Sequence, residues 1–314
     1  MDTPLDQDRT ASAAVGRPVR VVSVCFRIGS KSLEEVAAVV DREGARGCDL
    51  LALPETWTGP VPERLNERTL TTLAALARAH RTHVVCPIYR REGAHSLNSA
   101  VLINRRGEIA CIYDKVYPYW SEFEQRPPVQ VGRDVPVYAS DFGRVGMAIC
   151  FDVNFPAVWQ RLADQGADLV IWPSAYSAGS SLQAHAINHH FAIVTATSTG
   201  DCQVYDITGE RILDERSEGF HISRITLDLD RGIYHENFNL EKCDRLLRER
   251  GHDVLLERRL PREEWFVLKA KRPGVSARAL AKEHGLEELR DYLGRSRREI
   301  DQMRGTEFTP RGPG

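Results

Sequence analysis

Long apolar runs and an excess of charge of one sign are both missing from this sequence. No apolar stretch approaches the roughly 20 residues that a helix needs to cross a membrane. The 42 lysines and arginines nearly balance the 44 aspartates and glutamates, which leaves a formal net charge of −2. Because a strongly basic surface is what attracts nucleic acids and acidic membranes, we expect neither as a partner.

The seven cysteines include no CxxC pair and no spacing typical of metal ligands. Their odd number, and the lack of an apolar secretory signal in residues 1–17, favour free thiols in a reducing, cytoplasmic environment. Residues 1–17 are polar and small, and we expect them to form a disordered tail. Most of the cysteines should be small buried apolar residues, but at least one is placed for chemistry.

Short β-rich runs alternate with helical stretches between residues 18 and 230. Near-continuous apolar runs such as Val19–Phe26 are typical of strands that are buried on both faces. The turn sequences at residues 104–107 and 207–210 predict two hairpins. The pattern therefore predicts an α/β fold with mixed rather than purely parallel sheets.

The composition changes after about Arg231, where the chain becomes more basic and apolar residues become sparse. We expect residues 231–314 to form a helical extension that packs on another surface instead of building its own core. An oligomer interface and a position over the site are the two roles left open. Residues 275–286 faintly resemble the start of a helix-turn-helix, but the acidic sequence that follows disfavours DNA binding.

Three segments each place a reactive side chain just past the end of a buried strand. They are Leu51–Glu55, Tyr113–Lys115 and Ala148–Cys150. In open α/β sheets the carboxyl ends of strands converge on the functional site. We therefore expect the side chains of Glu55, Lys115 and Cys150 to meet there.

These three residue types together suit the cleavage of an amide-type bond. A cysteine attacks as a thiolate, and a nearby ammonium such as that of Lys115 should lower the pKa of the Cys150 thiol. Glu55 can accept the thiol proton and return it to the leaving amine. Lys115 and the backbone N–H of Phe151 can face the oxyanion of the tetrahedral intermediate.

The order and context of these segments resemble the nitrilase superfamily of carbon–nitrogen hydrolases, and the resemblance covers residues 19–230. It implies a four-layer αββα sandwich of two mixed sheets, with Glu55 as base, Lys115 as oxyanion stabiliser and Cys150 as the nucleophile that forms a thioester. It also implies a second glutamate, for which Glu122 is the better candidate and Glu124 the alternative. That glutamate would position the substrate nitrogen or the hydrolytic water and hold the lysine. No metal or organic cofactor is implied, and a homodimer or larger homo-oligomer is expected.

The residues that follow the nucleophile indicate the branch of the superfamily. Phe151-Asp152 is closer to amidases and carbamoylases than to nitrilases, which usually have Trp-Glu there. Carbamoyl-amino-acid hydrolases commonly hold a substrate carboxylate with arginines at positions that are Val153-Asn154-Phe155 in this chain. We therefore predict a small-molecule substrate whose amide or ureido bond is cleaved with release of ammonia or an amine. Nitrile hydrolysis and acyl transfer use the same residues and remain alternatives.

Further polar and aromatic residues near these segments have two possible roles. One serine and several aromatic residues could either line a substrate pocket or contribute to packing: Trp57, Tyr119, Trp120, Phe151, Trp172, Ser174 and Tyr176. His185 and His189 are one helical turn apart, and His190 follows, but the glutamate of the zinc-protease pattern is absent. We therefore prefer packing or a dimer surface to a metal site for the histidines.

Overall fold

The computed structural model describes residues 15–306. They form two compact units, one of residues 17–229 and one of residues 15–16 and 230–306. Most of the predicted disordered tail lies outside the described residues, but the backbone N–H of Arg17 donates to the Asp228 carboxylate at 2.9 Å. Within the described part of the chain, every helix is too short or too polar to span a membrane.

The first unit, residues 17–229, alternates strands and helices as predicted. Its elements are β1 (Pro18–Cys25), α1 (Leu33–Ala45), β2 (Leu50–Ala52), α2 (Arg68–His80), β3 (His83–Glu92), β4 (His95–Ile103), β5 (Ile109–Asp114), α3 (Trp120–Phe123), β6 (Val137–Ala139), β7 (Arg144–Met147), α4 (Pro156–Asp164), β8 (Leu169–Ser174), α5 (Ser180–His189), β9 (Ala192–Thr197), β10 (Asp201–Tyr205), β11 (Arg211–Arg216) and β12 (His221–Asp228). A short 3-10 turn over Cys150–Asn154 separates β7 from α4.

Local signals set the ends of several of these elements. Helix α1 begins after Ser32, whose side chain accepts from the backbone N–H of Glu35, while the Glu35 carboxylate accepts from the N–H of Ser32. This reciprocal capping box satisfies two N–H groups that have no partner within the helix. Helix α4 begins with Pro156, which has no N–H that the first helical turn would leave unpaired.

Two six-stranded mixed sheets form the centre of the first unit. The first has the order β12-β1-β2-β3-β4-β5, and the second has the order β11-β10-β9-β8-β7-β6. Strands β1, β2 and β3 pair in parallel, as do β7, β8 and β9, and the remaining neighbours pair antiparallel. Glu55 and Cys150 thus follow strands of the parallel sets, β2 and β7, whereas Lys115 follows β5, which pairs antiparallel with β4.

Alternate residues of β1 show how the layers are stacked, because successive side chains of a strand point to opposite faces. Val21 belongs to a buried cluster that includes Val145 of β7, so the two sheets pack face to face. Val22 belongs to a second cluster with Val36 of α1 and Leu70 of α2, which cover the outer face of the first sheet. Helices α4 and α5 contribute to the cluster around the second sheet. The predicted αββα sandwich is thereby confirmed.

The second unit has a sheet and a core that the sequence analysis did not predict. Besides three helices, it contains an antiparallel sheet of order β13-β15-β14. The elements are β13 (Gly232–His235), α6 (Leu240–Arg250), β14 (Val254–Leu260), β15 (Trp265–Ala270), α7 (Ala277–Glu283) and α8 (Leu289–Arg304).

The expectation that this extension would have no core of its own is wrong. Leu246, Val254, Phe266 and Leu280 come from four different elements and form one buried cluster. Apolar residues that are sparse along the chain thus meet in space. Helix α7, which lies in the segment compared with a helix-turn-helix, contributes Leu280 to this core.

Candidate active site

Four of the predicted residues lie in one buried region of the first unit. Glu55 follows β2, Lys115 follows β5 directly, Glu122 lies in α3, and Cys150 starts the turn after β7. Their exposed fractions are only 3%, 1%, 5% and 7%. Charged groups are rarely buried this deeply unless they are paired.

Lys115 connects the two glutamates. Its Nζ lies 2.8 Å from Oε1 of Glu55 and 2.7 Å from Oε2 of Glu122. Burial alone would lower the pKa of this ammonium, but the negative charges of Glu55 and Glu122 raise it above its ordinary value. Lys115 is therefore a permanent cation in this site.

The structure distinguishes Glu122 from Glu124. Oε2 of Glu122 also accepts from the backbone N–H of Tyr119 at 2.8 Å, and Oε1 lies 3.4 Å from the hydroxyl of Tyr89. Glu124 is exposed and makes no hydrogen bond to Lys115. Only Glu122 is therefore in a position to hold the lysine.

Hydrogen-bond counting separates Glu55 from Glu122, because each carboxylate oxygen has two lone pairs. Oε1 of Glu55 accepts from Lys115 and from Nδ2 of Asn98 at 2.7 Å, and Oε2 accepts from the N–H of Ala175 at 2.7 Å. One acceptor position on Oε2 thus has no donor among the described residues. Both oxygens of Glu122 have two donors each. Of the two carboxylates, Glu55 is the one with capacity to accept a proton.

Cys150 has an unusual backbone conformation that its neighbours stabilise. Its φ angle is +47°, in the left-handed region that is costly for residues other than glycine. The carbonyl oxygen of Cys150 accepts from the indole N–H of Trp172 at 3.2 Å. On the other side of the turn, the N–H of Ile149 donates to the Asp152 carboxylate at 2.9 Å.

The Cys150 thiol lies within the influence of both charged partners. Burial is the largest effect on its pKa, and together with the negative charge of Glu55 it raises the pKa to about 12. The positive charge of Lys115 and hydrogen bonds from Ser174 and Ala175 lower the pKa, but by less. The expected effect of Lys115 on the pKa of this thiol is therefore present, but burial and Glu55 outweigh it. Since the thiol is protonated at neutral pH, it needs a base in order to attack.

Asp152 supports the turn that carries Cys150, a role that the sequence analysis missed. Its fully buried carboxylate accepts from the hydroxyl of Tyr113 at 2.7 Å and from the N–H groups of Ile149 and Tyr117, both at 2.9 Å. Burial raises the pKa of Asp152 to about 6. The sequence signal was a charged residue flanked by apolar ones, directly after the predicted nucleophile and Phe151.

The predicted pocket residues separate into groups with different positions. Trp172 and Ser174, both fully buried, contact Cys150 as described above. Trp57 belongs instead to the buried cluster between the first sheet and the helices α1 and α2. There it packs edge-on against Phe26, with the ring centroids 6.2 Å apart. Of the two roles left open for Trp57, pocket lining and packing, this position shows packing.

The remaining aromatic residues are at least partly exposed. The ring of Phe151, next to the cysteine, packs edge-on against the ring of Tyr119, with the ring centroids 5.3 Å apart. Tyr119 is 52% exposed. Tyr176 is also exposed and packs edge-on against Trp172 at 5.7 Å. Trp120 is 76% exposed and contacts Phe123. Phe151, Tyr119 and Tyr176 therefore present apolar surface next to the cysteine segment.

The three histidines near α5 take part in packing. The ring of His185 stacks on the ring of Trp159, with the ring centroids 4.2 Å apart. The Nε2 atom of His185 lies 2.8 Å from the carbonyl oxygen of Val153. His189 stacks beside His185 at 6.1 Å. Burial lowers the pKa of His190 to about 4. Within residues 15–306, no three His, Cys, Asp or Glu side chains form a group that could hold a metal ion.

Solved structures of the nitrilase superfamily share this fold. An amidase from Nesterenkonia sp. superposes with a TM-score of 0.59 at 20% identity, covering 69% of this chain and 92% of the amidase. Saccharomyces cerevisiae Nit3, a member of branch 10 of the superfamily, superposes with a TM-score of 0.59 at 18% identity, covering 69% and 93%. At these identities the likeness establishes the fold alone.

Sequence comparison establishes the family. The carbon–nitrogen hydrolase family model matches residues 29–232, more than half of the sequence, and the chain therefore belongs to that family. A deaminated glutathione amidase of Synechocystis sp. is 28% identical in a 199-residue alignment that covers 54% of this chain and 73% of the relative. A beta-ureidopropionase of Arabidopsis thaliana is 27% identical in a 159-residue alignment that covers 45% of this chain and 39% of the relative. The predicted membership of the nitrilase superfamily is confirmed.

Proposed function

We propose that this protein hydrolyses an amide-type bond of a small molecule through a thioester on Cys150, with release of ammonia or an amine. The observation that carries this proposal is the buried Glu55–Lys115 ion pair beside a cysteine thiol. A protonated thiol, a carboxylate with one open acceptor position and a permanent cation are the groups that this reaction needs.

In the first half of the reaction, the Cys150 thiol transfers its proton to Oε2 of Glu55 as the sulfur attacks the carbonyl carbon. The carbonyl oxygen becomes an oxyanion. Two of the three Lys115 N–H groups bind the glutamates, so the third is available to this oxyanion, together with the backbone N–H of Phe151. One such donor typically contributes about 3 kcal/mol. The C–N bond then breaks, and the proton on Glu55 moves to the leaving nitrogen.

In the second half, water hydrolyses the thioester. Glu55 accepts a proton from the water as its oxygen attacks the acyl carbon. The C–S bond breaks, and the proton on Glu55 returns to the sulfur of Cys150. Glu122 keeps Lys115 in place, and all its acceptor positions are filled by other donors.

The substrate we propose is a small amide or ureido compound. One relative is named as an amidase of deaminated glutathione, an amide, and another as a beta-ureidopropionase, whose name refers to a ureido acid. Tyr119, Phe151 and Tyr176 offer apolar surface for the acyl group. We also propose that the protein acts in the cytoplasm, where its seven free thiols would persist. We further propose that it acts as a homodimer or larger assembly.

A small panel tests the function: ammonia release from propionamide, benzamide and 3-ureidopropionate, and release of a primary amine from deaminated glutathione. We expect the wild-type protein to hydrolyse at least one compound and Cys150→Ala to hydrolyse none while keeping its circular dichroism spectrum. Intact mass after rapid acid quenching should show the acyl group on the wild-type protein only. Turnover by Cys150→Ala at the wild-type rate would reject Cys150 as the nucleophile.

A further inference from the structure

Asn98 lies at the centre of the site although its strand, β4, is mostly apolar. The register of β3 and β4 places Tyr89 opposite Asn98, and the backbone N–H of Lys115 donates to the carbonyl of Asn98 at 2.8 Å. Tyr89, Asn98 and Lys115 therefore form a row across the first sheet. The side chains of all three contact Glu122.

The side-chain amide of Asn98 links the two glutamates. Its Nδ2 donates to Oε1 of Glu55 and to Oε1 of Glu122, each at 2.7 Å. Its Oδ1 is buried and has no hydrogen-bond partner among the described residues. A buried oxygen without a partner is unfavourable, and the opposite orientation would place that oxygen against two carboxylates. The amide thus donates its N–H groups to the two glutamates, while its oxygen is left without a partner among the described residues.

The charges of the site explain why a neutral donor is useful there. Two carboxylates share the single positive charge of Lys115, and the other titratable groups close to them are Cys150, Tyr89 and Tyr176. Asn98 supplies two N–H groups to the glutamates without adding a charge. A second lysine at this place would neutralise the site, and an aspartate would add to the repulsion.

We infer that Asn98 is a positioning residue that holds Glu55 and Glu122 on either side of Lys115 and keeps Oε2 of Glu55 directed at Cys150. This inference rests on the proposed function, in which Glu55 accepts the thiol proton. Without Asn98, Oε1 of Glu55 keeps only Lys115 as a donor and Oε1 of Glu122 keeps only the Tyr89 hydroxyl, which favours uptake of a proton by the pair. The base would then be lost at a higher pH than in the wild-type protein.

The test is the pH dependence of Cys150 alkylation by iodoacetamide, an amide-shaped electrophile that requires no knowledge of the substrate. In Asn98→Ala we expect the acid limb of the rate profile to move up by about one pH unit. At pH values on the acid limb itself the alkylation rate should fall roughly tenfold, since a one-unit change in proton affinity changes the ionised fraction there by that factor, whereas the rate on the plateau above the limb should be unchanged. Peptide mapping confirms that Cys150 is the labelled residue. The acid limb of ammonia release from propionamide should shift in the same direction.

A matched control lies on the same strand. Ser96 is buried, is two residues from Asn98 on the same face of β4, and its hydroxyl has no partner among the described residues. Ser96→Ala should therefore keep the wild-type acid limb, whereas a general loosening of the strand would shift both variants.

A second variant preserves the size of the side chain. Asn98→Asp can donate at most one hydrogen bond, and only when protonated, so we expect an upward shift here as well. A wild-type acid limb in Asn98→Ala, or in Asn98→Asp if the alanine variant does not fold, would overturn the positioning role. Turnover by Cys150→Ala would instead overturn the function itself.

Discussion

Trp172 donates its indole N–H to the carbonyl oxygen of Cys150 at 3.2 Å. The tryptophan belongs to β8 and the cysteine follows β7, so one strand supports the backbone of its neighbour at the place where a positive φ angle is needed. Asp152 supports the other side of the same turn. The nucleophile is thus held by two side chains that take no part in the proposed proton transfers.

The first prediction concerns Trp172→Phe, which keeps a ring and removes the N–H. The Cys150 carbonyl oxygen loses this donor, and we expect a loss of about 1–2 kcal/mol in the free energy of unfolding. We also expect kcat to fall by roughly tenfold, because the sulfur is no longer held in its attacking position. Urea unfolding and ammonia release measure the two effects. The control is Trp57→Phe, a buried tryptophan of the other cluster, and an equal loss of kcat in both variants would contradict the prediction.

The second prediction separates the two glutamates. Glu55→Gln removes the proton acceptor, so kcat should fall by about 10³-fold or more. In Glu122→Gln the proton acceptor remains while one anchor of Lys115 is weakened, and the fall in kcat should be smaller. Exposed Glu124→Gln should behave like the wild-type protein. If Glu122→Gln were the more damaging change, the assignment of Glu55 as the base would be wrong.

The third prediction concerns the resting state of Cys150. Because burial raises the pKa of its thiol to about 12, this cysteine should contribute no thiolate at neutral pH. The measurement is the difference in ultraviolet absorbance at the thiolate band between the wild-type protein and Cys150→Ser. No difference is expected from pH 7 to 9. A thiolate signal at pH 7 would show instead that the positive charge of Lys115 outweighs burial in setting the pKa of Cys150.

The fourth prediction concerns Asp152, whose pKa is raised by burial from 3.8 to about 6. A carboxyl group with a raised pKa contributes its full stabilisation below pH 3.8 and loses it as the pH rises through 6. The stability of the wild-type protein relative to Asp152→Asn should therefore decrease by about 2 kcal/mol between pH 4 and pH 6.5. Urea unfolding at a series of pH values measures this difference. A flat difference would show that Asp152 is ionised at no cost in the folded protein.

Several parts of the fold could be predicted because their signals are local. The apolar run at Val19–Phe26 predicts a strand, which is observed at Pro18–Cys25. Helix α1 also begins at a local signal, the capping box at Ser32. Hydrophobic periodicity and caps depend on residues that are close in the sequence, so they can be read from it directly.

The sheet of the second unit could not be predicted in the same way. The sequence of β14, Val254–Leu260, contains Glu257 and two arginines, and its pairing partner is β15. Such a strand has no uninterrupted apolar run. Its stability depends on the pairing and on a core assembled from distant elements, neither of which is visible in a short window of sequence.

The sequence by itself determined the α/β alternation, the strand ends that carry Glu55, Lys115 and Cys150, and the family to which these segments point. Only the tertiary structure decided that Glu122 rather than Glu124 holds the lysine, that Asn98 links the two glutamates, and that burial raises the pKa of the Cys150 thiol. The physical reason is that hydrogen-bond partners and desolvation depend on every atom around a group. Here those atoms come from segments that are tens of residues apart along the chain.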